Sequence, residues 1–213
     1  MNPNPNRSIY ENNYVASQLE VEPKTPYDAN LLAFRLKLLE THSAGKDVLD
    51  LCCGSGTYLV KLLDRVTSIT GLDFSRNLLA ALTKRLSDAP FPEKVKLVEG
   101  DATSLPFSND SFDTVFSLAS LYHVPGARQA ILETGRVLRK GGVAILELGN
   151  THSLATISSA LCHKYYGWAK PYHMSYGAML KAIAKAGFTI EEHHVFQLLP
   201  MFGPKALQLA LPF

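Results

Sequence analysis

Val48-Leu49-Asp50-Leu51-Cys52-Cys53-Gly54-Ser55-Gly56-Thr57 reads as a buried strand carrying an acid, then a turn of small residues, then a helix opening near Thr57. Gly54 and Gly56 have no Cβ and tolerate positive φ, so a ligand can approach the backbone closely there. A helix beginning at Thr57 would turn its unpaired N–H groups and the positive end of its dipole toward the same crevice.

Outward from this turn, strands and helices alternate. The pattern predicts strands at Asp47–Leu51, Ser68–Leu72, Val95–Val98, Thr114–Leu118 and Val143–Leu148, with a last one near Thr189–Leu199. Helical stretches are expected around Leu31–Leu39, Thr57–Leu63, Asn77–Leu86, Arg128–Leu138 and Tyr176–Ala186, the last capped by Gly187. The alternation predicts an α/β fold: one doubly wound, mostly parallel sheet with helices on both faces. Ligands of such sheets bind beyond the carboxyl ends of the strands. The whole chain, 1–213, reads as a single domain with residues 1–26 as a flexible or lid-like leading segment.

Three acids stand at or just after successive strands. Asp50 lies four residues before Gly54, where it would repel a diphosphate but suits a ligand carrying an ammonium or sulfonium. A dinucleotide fingerprint also needs a third glycine, and Leu59 occupies that position. Asp73 is placed to accept both ribose hydroxyls of an adenosine, or else to serve as an acid at a helix start. Asp101 could accept from an adenine amine while the Ala102 N–H serves a ring nitrogen, or could cap its own turn. Together the acids favour S-adenosylmethionine over a nicotinamide dinucleotide.

Composition sets the frame. Hydrophobic residues make up 46% and charged residues 19%, which suits a folded globular chain rather than a disordered one. The net charge of +2, without a run of Lys or Arg, gives nucleic-acid binding no support. No apolar stretch reaches the ~18 residues of a membrane span. The Asn- and Pro-rich start has no signal-peptide pattern, and three cysteines, with Cys52 and Cys53 adjacent, make no disulfide framework. A cytoplasmic protein is expected. His152, His163, His173, His193 and His194 lack metal-ligand spacing, so no metal is expected.

These motifs, with Leu72-Asp73-Phe74-Ser75, Gly100-Asp101-Ala102, Leu105–Asp113, Leu121-Tyr122-His123-Val124 and Arg136–Gly142, resemble the class I S-adenosylmethionine-dependent methyltransferases. The resemblance is to the methyltransferase-11 or ubiquinone-biosynthesis branch and runs from about Tyr10 to Leu199. It implies S-adenosyl-L-methionine as cofactor, held by Asp50, Cys52, Gly54, Gly56, Asp73, Phe74, Asp101, Ala102 and Ser117. Cys52 departs from the glycine usual in that family, so an altered loop geometry is expected. The family sheet ends in two further strands, and here the last antiparallel one is missing from the pattern. The apolar end Ala206–Phe213 reads as a shortened chain or as a surface for a homo-oligomer or partner.

Methyl transfer from a sulfonium needs alignment and dryness, and a base only where the acceptor loses a proton. His123, just after the fourth strand, is the candidate catalytic residue, with a role in holding the local helix or loop as the plain alternative. Tyr10, Tyr14 and Tyr27 are candidates for a lid, and His163–His173 for substrate recognition. The fourth strand is followed by Ser117-Leu118-Ala119-Ser120 rather than Asn/Asp-Pro-Pro-Tyr/Phe, which argues against methylation of adenine or glutamine amines. The expectation is transfer to a small-molecule or glycan-type acceptor through an O-, C- or N-nucleophile. The alternative is a catalytically silent S-adenosylmethionine-binding partner or regulatory domain.

Overall fold

The computed structural model describes residues 5–12, 23, 25–166 and 168–195. Strands β1 (Asp47–Leu51), β2 (Ser68–Asp73), β3 (Val95–Glu99), β4 (Phe112–Ser117) and β5 (Leu138–Leu146) form one sheet in the order β3-β2-β1-β4-β5. Every pairing is parallel. The helices are α1 (Arg7–Asn12), α2 (Pro26–Ser43), α3 (Arg76–Leu86), α4 (Ala127–Val137), α5 (Leu154–Tyr166) and α6 (Tyr176–Lys185). This is the Rossmann-like doubly wound fold that the alternation predicts. The strand order reverses between β1 and β4, so their carboxyl ends open a crevice.

A parallel sheet is covered on both faces, and β1 shows how the sequence meets that demand. Side chains alternate along a strand, so Val48 joins one core cluster while Leu49 and Leu51 join the other. The first cluster adds Leu59, Leu62, Ile69, Leu82 and Phe116; the second adds Leu72, Val115, Leu121, Ala130 and Val137. Helix starts follow their local chemistry. Thr25 accepts from the Asp28 N–H with Pro26 at the first position, and Ser75 and Ser175 accept from Leu78 and Ala178 N–H groups. Gly187, at φ +83°, follows α6 as anticipated.

Two expectations need correction. Thr57–Leu63 is not an α-helix: turns lead into a single 3₁₀ turn over Val60–Leu62. Lys61 and Leu62 donate to carbonyls three residues back, and this tighter winding buries Leu59, Leu62 and Leu63 against the sheet. The helix dipole expected over the crevice is therefore not supplied by this segment. The last strand is also absent from the part of Thr189–Leu199 that is described. Residues 189–195 are exposed and carry no strand, with Glu191, Glu192, His193 and His194 offering no apolar face to bury. Residues 196–213, including the apolar end, lie outside the described residues.

Some of the most recognisable residues hold the frame. Arg136 on α4 donates to the carbonyls of Phe107 and Leu105 at 2.7 and 3.0 Å and pairs with Glu133 at 2.7 Å, pinning the loop from Leu105 to Asn109. Arg139 joins Asp47 and Asp113 at 3.1 and 2.8 Å, tying β5 to the starts of β1 and β4. Arg136→Ala is expected to destabilise the fold by about 2 kcal/mol, the scale of losing charged hydrogen bonds, without changing ligand affinity. Chemical denaturation beside a cofactor titration would check both halves.

Candidate functional site

The loop after β1 turns through three left-handed residues: Cys52 at φ +62°, Gly54 at +54° and Gly56 at +76°. A Cβ on Gly56 would meet Leu82 at 2.3 Å, so glycine is required there for packing as well as for conformation. Cys52 holds a left-handed conformation that favours glycine, at the strain such a residue carries. Its thiol lies beside Ser117, whose buried hydroxyl, at the end of β4, has no nitrogen or oxygen partner among the described residues. Ser120 donates to the Cys52 carbonyl at 3.2 Å and closes this side of the crevice.

Asp73, at the end of β2, accepts the Gly54 N–H and the Ser75 N–H, both at 2.9 Å. One buried carboxylate thus joins the β1 loop to the start of α3. Each of its oxygens keeps a second lone pair for a further donor. Burial pushes its pKa up, against the pull of these N–H groups. Asp50 is only 4% exposed and pairs with no cation among the described residues. Burial, and then the neighbouring Asp73, push its carboxyl well above the usual carboxylate range. Asp101 follows β3 and is exposed; its Oδ1 accepts from the Thr103 N–H and hydroxyl at 2.8 Å, capping its turn, while Ala102 is buried beside it.

Two buried acids, an orphaned hydroxyl and a glycine turn fit the adenosyl cofactor that the resemblance implies. A cation meets an acid that lacks one, and the nucleoside hydroxyls meet spare acceptors.

Across the crevice, the leading segment folds over the site. The buried Asn6 donates to the carbonyls of His123 and Lys170 at 3.0 and 2.9 Å and accepts the Lys170 N–H at 2.7 Å. Tyr10 on α1 then meets Phe74 edge-on at 5.7 Å and His123 at 6.0 Å between ring centroids. Tyr122 packs on His123 at 4.6 Å and stacks with His173 at 6.3 Å. Burial pulls His123 down to about 4, with the Lys170 carbonyl opposing it, so the ring is neutral at pH 7. Its Nδ1 is buried without a hydrogen-bond partner among the described residues. Of the other lid candidates, Tyr27 lies on the first turn of α2, and Tyr14 falls outside the described residues. The recognition candidate His163–His173 reaches the site at its end, where Tyr172 donates to the Tyr122 carbonyl at 2.6 Å.

The sequence reading missed a second polar cluster. Arg35 on α2 grips Glu147, the residue after β5, with contacts of 2.6 and 2.5 Å, and donates to the Tyr58 hydroxyl at 3.0 Å. Glu147 also accepts the Ala119 N–H at 3.1 Å, and Ala119 sits at φ +56° in the loop after β4. An acid directly after an apolar strand was the available signal, the same one that marks Asp73. No group of three or more His, Cys, Asp or Glu that could hold a metal is found among the described residues.

Residues 48–142 match the family model for a methyltransferase domain. The demethylmenaquinone methyltransferase of Staphylococcus aureus strain MRSA252 is 40% identical over 104 residues, covering 47% of this chain and 42% of that relative. The chain thus spans less than half the length of the curated relative it matches. Among solved structures, an S-adenosylmethionine-dependent methyltransferase from Mesorhizobium loti aligns at TM-score 0.63 and 21% identity, covering 74% of this chain and 81% of that one. The [4+2]-cyclase SpnF aligns at 0.65 and 21% identity, covering 88% and 70%. At these identities the structures speak to the fold alone.

Asp50→Asn is expected to separate binding from stability. An acid whose folded pKa lies above its unfolded one loses stability as pH rises from about 4 toward the folded value. The variant removes that loss and should melt higher at pH 7 in the free protein. Its affinity for S-adenosylmethionine should fall about tenfold or more, the worth of one charge-assisted contact. In the unsubstituted protein, affinity should rise with pH through the same window, because a bound cation favours the ionised acid. Calorimetric titration across pH, with thermal melts of both proteins, reads each effect.

Proposed function

We propose that this chain, which through residues 48–142 belongs to the class I S-adenosylmethionine-dependent methyltransferases, transfers a methyl group to a small, flat, apolar acceptor of the hydroxylated aromatic or quinone-precursor class. The observation that carries the acceptor class is the collar of Tyr10, Phe74, Tyr122, His123 and His173 around the mouth of the crevice. Aromatic walls suit a flat ring better than a polar glycan. The 40% identical relative, named for a menaquinone precursor, points the same way.

S-adenosylmethionine supplies an activated methyl group on a positively charged sulfur. Asp73 accepts the ribose hydroxyls, and Asp101 with the Ala102 N–H addresses the adenine edge. Asp50 answers the cationic end from beneath the Gly54–Gly56 turn, with Phe74 against the nucleoside and Ser117 offering its hydroxyl beside Cys52. Asn6 and Tyr10 close the leading segment over the site and keep water out. A hydroxylated ring releases a proton as its oxygen or ring carbon takes the methyl group. We assign its reception to His123 Nδ1, on a neutral ring and without a hydrogen-bond partner among the described residues.

The decisive experiment titrates the purified protein with S-adenosylmethionine and with NAD, then assays methyl transfer to hydroxynaphthoquinol-type and glycan acceptors. Binding of the first cofactor alone, with transfer to the aromatic acceptor, is the expected result. Binding without transfer to any acceptor would favour a silent cofactor-binding module, and no binding would end the reading. His123→Ala should leave cofactor affinity unchanged and lower kcat/KM by about 10²- to 10⁴-fold. In the unsubstituted enzyme at saturating S-adenosylmethionine, kcat/KM for the acceptor should stay level through neutral pH and decline only as the imidazole protonates near 4. A decline centred near 6.5, the ordinary histidine value, would place the base elsewhere.

A further inference from the structure

We infer that the surface around the end of α5 docks on an anionic phospholipid surface. Nine large hydrophobic side chains are exposed among the described residues, and eight of them lie between Leu161 and Val195. Three are neighbours at the end of α5 and just beyond it: Tyr165 at 67%, Tyr166 at 75% and Trp168 at 45% exposed. Leu161 lies one helical turn before Tyr165 and extends the stripe. Tyrosine and tryptophan, each apolar with one polar tip, favour the boundary between lipid headgroups and acyl chains.

Charge chooses the occupant. Residues 148–190 contain Lys164, Lys170, Lys181 and Lys185 and not one Asp or Glu, in a chain whose net charge is only +2. The Lys164 ammonium lies 5.3 Å from the Tyr165 ring centroid, and that of Lys170 lies 5.4 Å from the Tyr172 ring. Cations interleaved with aromatic rings match an anionic headgroup layer over an apolar interior. No described helix is long and apolar enough to cross a membrane, so the contact is peripheral.

The patch adjoins the mouth of the site. Immediately after Trp168, Ala169 is buried, the Lys170 backbone is held by Asn6 beside His123, and Tyr172 bonds to Tyr122. A chain resting on lipid through Tyr165, Tyr166 and Trp168 would hold its aromatic collar close to the bilayer, where apolar acceptors concentrate. That last step rests on the acceptor class proposed above; the lipid contact itself does not.

Trp168 is the only tryptophan, so its emission reports on this patch alone. The full chain is mixed, without acceptor or cofactor, with vesicles of phosphatidylcholine or of phosphatidylcholine with phosphatidylglycerol. The expected result is a blue shift on the anionic vesicles, quenching by brominated lipid, and reversal by salt. One lysine near an anionic surface is worth about a fivefold change in affinity, so Lys164→Glu, which also adds a repelling charge, should weaken binding by about fivefold or more. Tyr165→Ser with Tyr166→Ser should abolish the blue shift, while thermal melts and S-adenosylmethionine affinity stay unchanged. The proposal falls if Trp168 emission does not move with anionic vesicles. It falls equally if the emission is already blue without lipid, which would mean the patch is covered within the chain. A shift that is the same on both vesicles and indifferent to Lys164→Glu would also overturn it, leaving an apolar protein-docking face. Each result leaves the methyl-transfer reading to its own assay.

Discussion

The site is organised around one buried carboxylate. Asp73 accepts the N–H of Gly54 from the β1 loop and that of Ser75 at the start of α3, so a single side chain helps set the spacing of these two segments. Its burial makes those hydrogen bonds strong and makes their loss costly. The glycine turn is shaped by Gly56 packing on Leu82 of the same helix, so the backbone bond and the core contact act in one direction. Without the carboxylate, two buried N–H groups would lose their acceptor.

A second clamp faces the first. Arg35 and Glu147 come from opposite ends of the chain order, α2 and the exit of β5, and their side chains are 13% and 9% exposed. A pair this buried gains little over an apolar contact, but removing one partner would leave a buried charge without its counter-ion. Its use is geometric. Glu147 holds the Ala119 N–H, and the neighbouring Ser120 holds the Cys52 carbonyl, so the β4 loop is drawn toward the β1 loop. The crevice is therefore fixed on one side by Asp73 and on the other by Glu147.

Much of this was legible in the sequence because parallel strands end where ligands bind. Strand runs of Val, Ile and Leu closing on Asp50, Asp73 and Ser117 placed those residues at the crevice before any contact was known. Arg35 and Glu147 escaped because they are 112 residues apart, and no local pattern links a lone arginine on an apolar helix to an acid after a strand. The segment after Gly56 was misread for a different reason. Leu59, Leu62 and Leu63 bury one face in a 3₁₀-containing coil as readily as in an α-helix, so periodicity alone could not separate the two. The leading segment carried its decisive residue, Asn6, in a polar run whose composition suggested only irregularity.

Several local conflicts lie at the crevice, while Phe91 and Asp110 hold left-handed backbone elsewhere. Cys52 and Ala119 hold left-handed backbone without being glycine, and Asp50 is buried beside another acid with no cation paired to it among the described residues. Such a residue costs about 1 kcal/mol or more, and each would be easy to relieve by substitution. All three lie on β1 and on the loops after β1 and β4, whereas the cores under both faces of the sheet are apolar. On the proposed reading, a cationic ligand would give Asp50 its counter-charge. On that reading, part of the affinity is relief of the cost of burying Asp50 beside Asp73, a cost already present in the fold.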